Sequence, residues 1–372
     1  MNAITIIPLL ILVIYVYKIQ KWRYNWEVTS EFLPEKPIYT PISVIVAFRN
    51  ERGNIENLLG SLKAQQYPAA LFEVILVDDH SGDGSHELVK QAIGSDSNFR
   101  IISNSENAFG KKSALRTGIL ASSNDLIVTT DADATMHPKW LATISTFYQE
   151  NHPDMVIGLA DIKSGKTFFN RFSEAEFISL VASGSGAAAS GHPIYCNGAN
   201  LAYSKSVFQH LNDAMNEAVI SGDDTFVLHS MKNSGKKIAL LKSSQSVVTV
   251  KAPGNLKQFT EQHVRWVSKS KYYKNGDIIF TALIVFLINL SIVSALILLF
   301  SGANYWLFGF LMAVKALTDF HLIKSYYSYL AKKLPVSDYM VFSLMYPFFV
   351  VFIGIAGLFS GYSWKGRFYK TT

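Results

Sequence analysis

Cysteine is almost absent from this sequence: Cys196 is the single thiol in 372 residues. One thiol closes no disulfide within the chain and builds no cysteine-based zinc or iron–sulfur centre. Charge is scarce as well. Asp, Glu, Lys and Arg make up 17% of the residues, below the roughly 25% of soluble globular chains, while apolar residues reach 49%. That balance excludes a disordered, collagenous or coiled-coil protein. Acidic side chains are the scarcer sign, 28 against 34 basic ones, for a net charge of +6. The excess suits a polyanionic ligand or an anionic membrane face. The sequence has no internal repeat and no low-complexity tract.

What is present in abundance, apolar side chains, concentrates at the two ends. Residues 1–17 carry no charge and are followed at once by Lys18, Lys21 and Arg23. A cleaved signal peptide begins with positive charge and ends in small residues, and this segment does neither. It predicts an anchor helix over 1–21 whose basic flank marks the cytoplasmic side. An interfacial helix is the alternative, because so short a run barely spans a bilayer. Residues 278–300 are uncharged and predict a transmembrane helix. Lys315, Asp319 and His321 interrupt 305–323, and 339–359 is again uncharged. Lys324, Lys332 and Lys333, like Lys365, Arg367 and Lys370, call for the cytoplasmic side. Three full crossings within 278–360 would put the basic tail, 361–372, outside. The expectation is a cytoplasmic tail, with 339–359 broken at Pro347 and Gly354 into a re-entrant pair. Because the basic residues cluster beside apolar segments, anionic lipid accounts for them, and nucleic acid is not an expected partner.

The middle of the chain, 38–253, alternates β-branched runs with helical patterns. Residues 43–48, 74–77 and 126–130 read as strands, and 55–62 and 86–93 as helices. That alternation predicts an α/β domain with a mainly parallel central sheet. Ligands of such sheets sit beyond the carboxyl ends of the strands, so polar residues just past each run are the first functional candidates.

Past the first run stand Arg49, Asn50, Glu51 and Arg52, which also read as a helix start capped by Asn50. Past the second, Asp78 and Asp79 precede a Gly/Ser turn and form either a nucleoside-binding edge or an ordinary capped turn. The third ends in Asp131-Ala132-Asp133. Alternate residues of an extended chain face the same way, so both carboxylates can meet one ligand, and a cation relieves their repulsion. Carboxylate and phosphate oxygens suit Mg²⁺ or Mn²⁺; a polar turn is the alternative. Gly222-Asp223-Asp224 opens an apolar-periodic helix, with Asp223 as an N-cap or Asp224 as a general base for an attacking hydroxyl. Over 254–275 a basic amphipathic pattern predicts an interfacial helix on which Gln262, Arg265 and Trp266 share one face. The guanidinium and amide can bind phosphate oxygens, and the indole can stack on a sugar.

In order and spacing, these pieces resemble the membrane-integrated family 2 glycosyltransferases, over residues 40–270. Residues 195–203 (YCNGANLAY) resemble a segment of ceramide-glucosyltransferase-like and carotenoid-glycosyltransferase-like members, and 364–367 (WKGR) a gating loop of hyaluronan synthases. The resemblance implies a GT-A catalytic domain with N- and C-terminal transmembrane helices. It implies an inverting transfer of a sugar from a nucleotide-sugar donor, UDP-linked, to a membrane-associated lipid acceptor. A processive polysaccharide synthase of the cellulose, hyaluronan or poly-N-acetylglucosamine type is the alternative.

By the same resemblance Glu51, Asp78, Asp79, Lys111, Asp131, Gln262, Arg265 and Arg367 face the donor. Asp131 and Asp133 hold Mg²⁺ or Mn²⁺, Asp224 with Asp223 beside it supplies the base, and Trp266, Asn197 and Asn200 face the acceptor. An aromatic-rich helix over 168–180 precedes a small-residue stretch, 182–191, read either as a loop admitting the acceptor headgroup or as a plain flexible loop. The implied location is a bacterial inner membrane, as an integral protein whose membrane lipids surround the apolar segments. The catalytic domain is expected in the cytoplasm, where nucleotide sugars are made.

Overall fold

The computed structural model describes residues 3–211, 214–216, 219, 222–300, 305–364 and 367–369. The chain begins with α1 (Ala3–Val28), β1 (Ile42–Phe48), α2 (Ile55–Lys63), β2 (Phe72–Asp78), α3 (Ser85–Ile93), β3 (Phe99–Ser103), α4 (Lys111–Ala121) and β4 (Leu126–Asp131). Next come β5 (Thr135–Met136), α5 (Trp140–Asn151), β6 (Met155–Ile157), β7 (Ala160–Lys163), α6 (Phe168–Ala189), β8 (Leu201–Ser204) and α7 (Lys205–Gln209). Then follow α8 (Asp223–Asn233), β9 (Ile238–Leu240), β10 (Val248–Lys251), α9 (Leu256–Ser268), α10 (Gly276–Phe300), α11 (Tyr305–Tyr329) and α12 (Val336–Phe359). A short hairpin, β11 (Tyr362–Trp364) and β12 (Arg367–Tyr369), comes last.

These elements sort into two compact units. One is an α/β unit of Thr29–Lys163 and Pro193–Lys251, the other a helical unit of Met1–Val28, Ser164–His192 and Ala252–Thr372. The expected uninterrupted domain over 38–253 is therefore divided, because α6 belongs with the helices.

In the α/β unit the strand order is β3-β2-β1-β4-β8-β6-β9. β1 is parallel to β2 on one side and to β4 on the other; β8 is antiparallel to β4 and β6. All seven residues of β1 are buried, which is why its sequence reads as a continuous apolar run rather than an alternation. α4 packs on β1 and β2, and α2, packed against β5 and α3, buries Ile55, Leu58, Leu59 and Leu62, an i, i+3, i+4, i+7 stripe. A second, three-stranded sheet has the order β5-β10-β7.

In the helical unit α1 packs against α6, α10 and α11, α9 against α12, and α10 against α11 and α12. Four helices are long and apolar enough to cross a membrane: Thr5–Val28, Gly276–Leu299, Trp306–Tyr329 and Val336–Phe359. Two expectations are corrected here. The stretch 182–191 is not a loop, since α6 continues through it to Ala189. Its small residues make room for α1: a Cβ on Gly186 would lie 2.7 Å from the Trp22 Cβ. Nor does 339–359 break into a re-entrant pair, because α12 runs through Pro347 as one helix of 24 residues. Gly354 marks a close helix contact instead of a break, a Cβ there falling 2.8 Å from the Phe286 ring of α10.

Candidate active site

The carboxyl ends of β3, β2, β1 and β4 and the amino end of antiparallel β8 share one edge of the large sheet. The loops after β1 and β2 are laced together there. Arg49 Nη1 donates to the carbonyls of Asp79 and His80, 2.6 Å each. Asn50, at φ 52°, donates its N–H to Ser81 Oγ (3.0 Å) and accepts the Gly82 N–H on Oδ1 (2.9 Å). The Glu51 N–H donates to Ser85 Oγ at 2.9 Å, and its carboxylate accepts from Asn54 Nδ2 at 2.6 Å. Asp78 Oδ1 accepts the Ser81 N–H at 3.0 Å, and its Oδ2 lies 3.0 Å from His86 Nδ1. Asp79 Oδ1 accepts from Gly110 N–H (2.9 Å) and Asn104 Nδ2 (3.2 Å). All three acids stand at the sheet edge and are buried, so they fix the loops that surround it.

Beside them Lys111, first residue of α4, draws three elements to one point. Its Nζ lies 2.6 Å from Asp131 Oδ1 at the end of β4 and 3.3 Å from Asp223 Oδ2 at the start of α8. Burial pushes this ammonium down, but Asp131, Asp223 and Asp224 outweigh it and hold Lys111 above its usual range. Gly198, just before β8, completes the cluster. Its N–H donates to Asp224 Oδ2 at 3.3 Å, and a Cβ there would lie 3.4 Å from Lys111 Nζ and from Asp223 Oδ2. The other oxygen of Asp224 accepts the Thr225 N–H at 2.6 Å. Asp223 is buried and paired with the lysine, whereas Asp224 is half-exposed. Gly222 permits this turn by adopting φ 84°. Asp133 follows two residues after Asp131, half-exposed in the turn.

Not every expected residue joins the site. The Asn200 carboxamide is 1% exposed. Its Nδ2 donates to the carbonyls of Leu159 and Ser246, 2.7 Å each, and its Oδ1 accepts from Trp140 Nε1 at 3.0 Å. With both N–H groups and the oxygen engaged inside the fold, Asn200 does not face an acceptor, and that expectation is corrected. Asn197 Oδ1 accepts the Ala199 N–H at 3.0 Å, and the side chain is half-exposed.

Gln262, Arg265 and Trp266 are half-buried on α9, which belongs to the helical unit. Between them His263 is buried, its Nε2 2.9 Å from Glu176 Oε2 on α6 and its Nδ1 2.8 Å from the Phe259 carbonyl. Burial pushes the imidazole down, but the Glu176 carboxylate and the Phe259 carbonyl more than reverse this, and His263 stands above its ordinary value. Arg367 opens β12, opposite Trp364 in the hairpin, and β11 packs on α9. Lys365, Gly366 and Lys370 lie outside the described residues.

Two residues that brace the candidate site escaped the sequence reading. Asn104, directly past β3, holds Asp79 and also accepts from Ser113 Oγ (3.1 Å) and Thr117 Oγ1 (3.0 Å) of α4. Recognising β3 as a strand would have pointed to it by the same carboxyl-end rule. Lys112 turns away from its neighbour: its Nζ donates to the carbonyls of Met215 (2.6 Å), Asn216 (3.0 Å) and Val219, and it lies 4.4 Å from the Phe226 ring centre. It thereby ties the segment before Asp223 to α4.

The sequence profile of glycosyl transferase family 2 matches residues 43–212, which include Glu51, Asp79, Lys111, Asp131 and Asp133. Residues 43–212 form a family 2 domain. Over 100 residues, 27% of this chain and 33% of the relative, it is 35% identical to glycosyltransferase AglE of Haloferax volcanii. Over 112 residues, 30% of this chain and 34% of the relative, it is 28% identical to the undecaprenyl-phosphate 4-deoxy-4-formamido-L-arabinose transferase of Proteus mirabilis. The matched segments thus span about a third of the length of these curated relatives. The solved mannosyltransferase PcManGT of Pyrobaculum calidifontis, in complex with GDP-Man and Mn²⁺, matches with a TM-score of 0.57 over 93% of this chain and 97% of that one, at 17% identity. The family 2 domain has the GT-A fold.

Family 2 domains of this fold generally use a divalent metal, and the residues here fit one that arrives with phosphate. Among the described residues no cluster of three or more His, Cys, Asp or Glu could hold a metal by itself. Mg²⁺ is commonly held by one or two carboxylates completed by substrate phosphates and water. Asp131 and Asp133 supply such a pair at the strand end.

Proposed function

We propose that the chain moves a sugar from a nucleoside-diphosphate sugar to a lipid acceptor in the membrane, by one in-line displacement with inversion. The observation that carries this reading is the cluster of Lys111, Asp131, Asp223 and Asp224 at the carboxyl edge of the sheet. The half-exposed Asp224 takes the proton from the acceptor hydroxyl as its oxygen bonds to the anomeric carbon. The bond from that carbon to the donor phosphate breaks, and the nucleoside diphosphate leaves with the electron pair. Lys111 holds Asp223 and Asp131 in place and offers positive charge beside the leaving group. Mg²⁺ or Mn²⁺ between Asp131, Asp133 and the diphosphate would neutralise the same charge. Gln262, Arg265 and Arg367 are assigned to the donor, and Trp266 and Asn197 to the acceptor, on the chemistry of their side chains. The apolar helices and the lipid phosphate in the name of the Proteus mirabilis relative support a lipid acceptor.

The test is to incubate purified protein with radiolabelled UDP-glucose, UDP-N-acetylglucosamine or GDP-mannose, Mn²⁺ and total membrane lipid. A single sugar on organic-extractable lipid is the expected product, lost in Asp224→Asn. Polymer retained in the aqueous phase would favour a processive synthase. No transfer from any nucleotide sugar in this panel, with lipid or without, would overturn the reading.

A further inference from the structure

Lys111 and Lys112 open the same helix one residue apart, and one residue turns a side chain by about 100° around a helix axis. Lys111 therefore meets the acids at the sheet edge, while Lys112 points elsewhere. Lys112 is only 6% exposed. Lysine seldom lies so deep, because its four-carbon stem normally carries the ammonium out to water. Here the stem leads into a cage of backbone oxygens. Nζ donates to the carbonyls of Met215 at 2.6 Å and Asn216 at 3.0 Å, and to that of Val219. Three carbonyls match the three N–H groups of an ammonium. The Phe226 ring closes a further side, its centre 4.4 Å from Nζ.

A tight turn aims those carbonyls at one point. Asn216 adopts φ 51°, and its carbonyl also accepts the Val219 N–H at 3.0 Å. Ala214, Met215 and Val219 are buried around it. Buried carbonyls are costly without a donor, and one ammonium serves three of them. Three carbonyl dipoles and the face of an aromatic ring together favour a cation over a neutral group.

The cage borders the acids at the start of α8. Val219 precedes Asp223 by four residues, and Phe226, beside the ammonium, lies one turn past Asp223 on α8. Met215 also lines a cavity of about 10 Å³ together with Leu115, Tyr203, Asp223 and Asp224. Leu115 follows Lys112 by one turn on the same face of α4. Asp131 and Asp133 are not among the described residues of that lining.

We infer that Lys112 is a positioning residue for the acceptor step. Its ammonium fixes the turn of Met215 and Val219 as the wall beside Asp224, and so sets where an acceptor hydroxyl meets that carboxylate. The inference rests on the reading of Asp224 as the base. Lys112 acts through the turn and through α8, not on the reacting atoms. The donor phosphates fall instead to Lys111 and the Asp131–Asp133 pair. Because both lysines ride on one helix, the donor and acceptor sides of the site are held in a fixed relation.

Initial rates of the purified full chain with membrane lipid extract, donor and acceptor varied separately, test this. In Lys112→Ala, kcat/KM for the acceptor should fall by about 10²-fold, the cost of a small misplacement, with donor KM unchanged. The rise in melting temperature produced by UDP or GDP with Mn²⁺ should persist, which counts the folded, donor-competent molecules. Propylammonium carries the three carbons and the ammonium that the variant lacks, and it should restore the acceptor rate. Tetramethylammonium, which has no N–H to donate, should not. Should Lys112→Ala fail to fold, Lys112→Met keeps the stem and is read by the same split between donor and acceptor. Unchanged acceptor kinetics, or donor and acceptor terms that fall together, would overturn the inference. Equal recovery with both ammonium salts, or with neither, would deny the ammonium its role. A wild type that transfers no sugar sinks the proposed function itself, whereas a variant that matches an active wild type sinks only this inference.

Discussion

Asp223 and Asp224 are neighbours in sequence but not in situation. Asp223 is buried against the Lys111 ammonium, while Asp224 is half-exposed with one oxygen on the Gly198 N–H. Asp224→Asn should therefore lower kcat by about 10²–10⁴-fold with little change in donor KM. Asp223→Asn should cost less. The reverse order, measured by initial rates on the same lipid extract, would move the base to Asp223. A loss under about tenfold would point to an acceptor oxygen that is already anionic, such as a lipid phosphate, which needs no base. Asn200 is the opposite case. A shared segment, YCNGANLAY, conveys residue types but not burial, so the sequence could not reveal that its carboxamide is engaged on every side. Asn200→Ala should lower the unfolding free energy by about 1–3 kcal/mol for each buried group left unpaired, read by thermal denaturation. Turnover per folded molecule should be retained.

α9 is held in rotation by one buried ion pair. His263 stands between Gln262 and Arg265, so the contact of its ring with Glu176 fixes where those side chains project. Its folded value lies above the unfolded one. The stabilisation is therefore complete below about pH 6.5, the ordinary histidine value, and is lost as pH rises through the raised folded value. The melting temperature of the wild type should fall over that alkaline limb, and Glu176→Gln should flatten it. An unchanged pH profile in Glu176→Gln would show that the pair is not the cause. His263→Ala, which leaves a buried carboxylate without its partner, should destabilise by about 3–5 kcal/mol. The elements themselves were unevenly legible. β1, β2 and β4 announce themselves as β-branched runs because both faces of a parallel sheet are covered. β3 is short and carries Arg100, which reaches the Ala121 carbonyl and Glu73 from the sheet margin, so its pattern is weak. The Gly, Ala and Ser of α6 read as a loop until α1 is laid against them, since small residues signal a close helix contact only once the partner is known.

The two units are interleaved along the chain, and no linear reading of composition separates them. Residues 164–192 leave the α/β unit and 193–251 return to it; the leaving segment is apolar enough to pass for core, so hydrophobicity alone gave no boundary. Two compact units imply two unfolding transitions whose order need not follow the sequence. Asp131 and Asp133 belong to the α/β unit alone. A nucleoside diphosphate that binds them through a divalent cation should stabilise that unit by RT ln(1 + [L]/Kd), about 2.7 kcal/mol at a hundredfold excess over Kd. For a unit of this size that is a rise of about 5–10 °C. Calorimetry of the detergent-solubilised full chain should show the shift with UDP or GDP plus Mn²⁺, and chelation should abolish it. Asp133→Ala should melt where the unliganded wild type does and fail to respond to Mn²⁺ with nucleotide. If Asp133→Ala responds as the wild type does, the Asp131–Asp133 pair is a polar turn and the cation is held elsewhere.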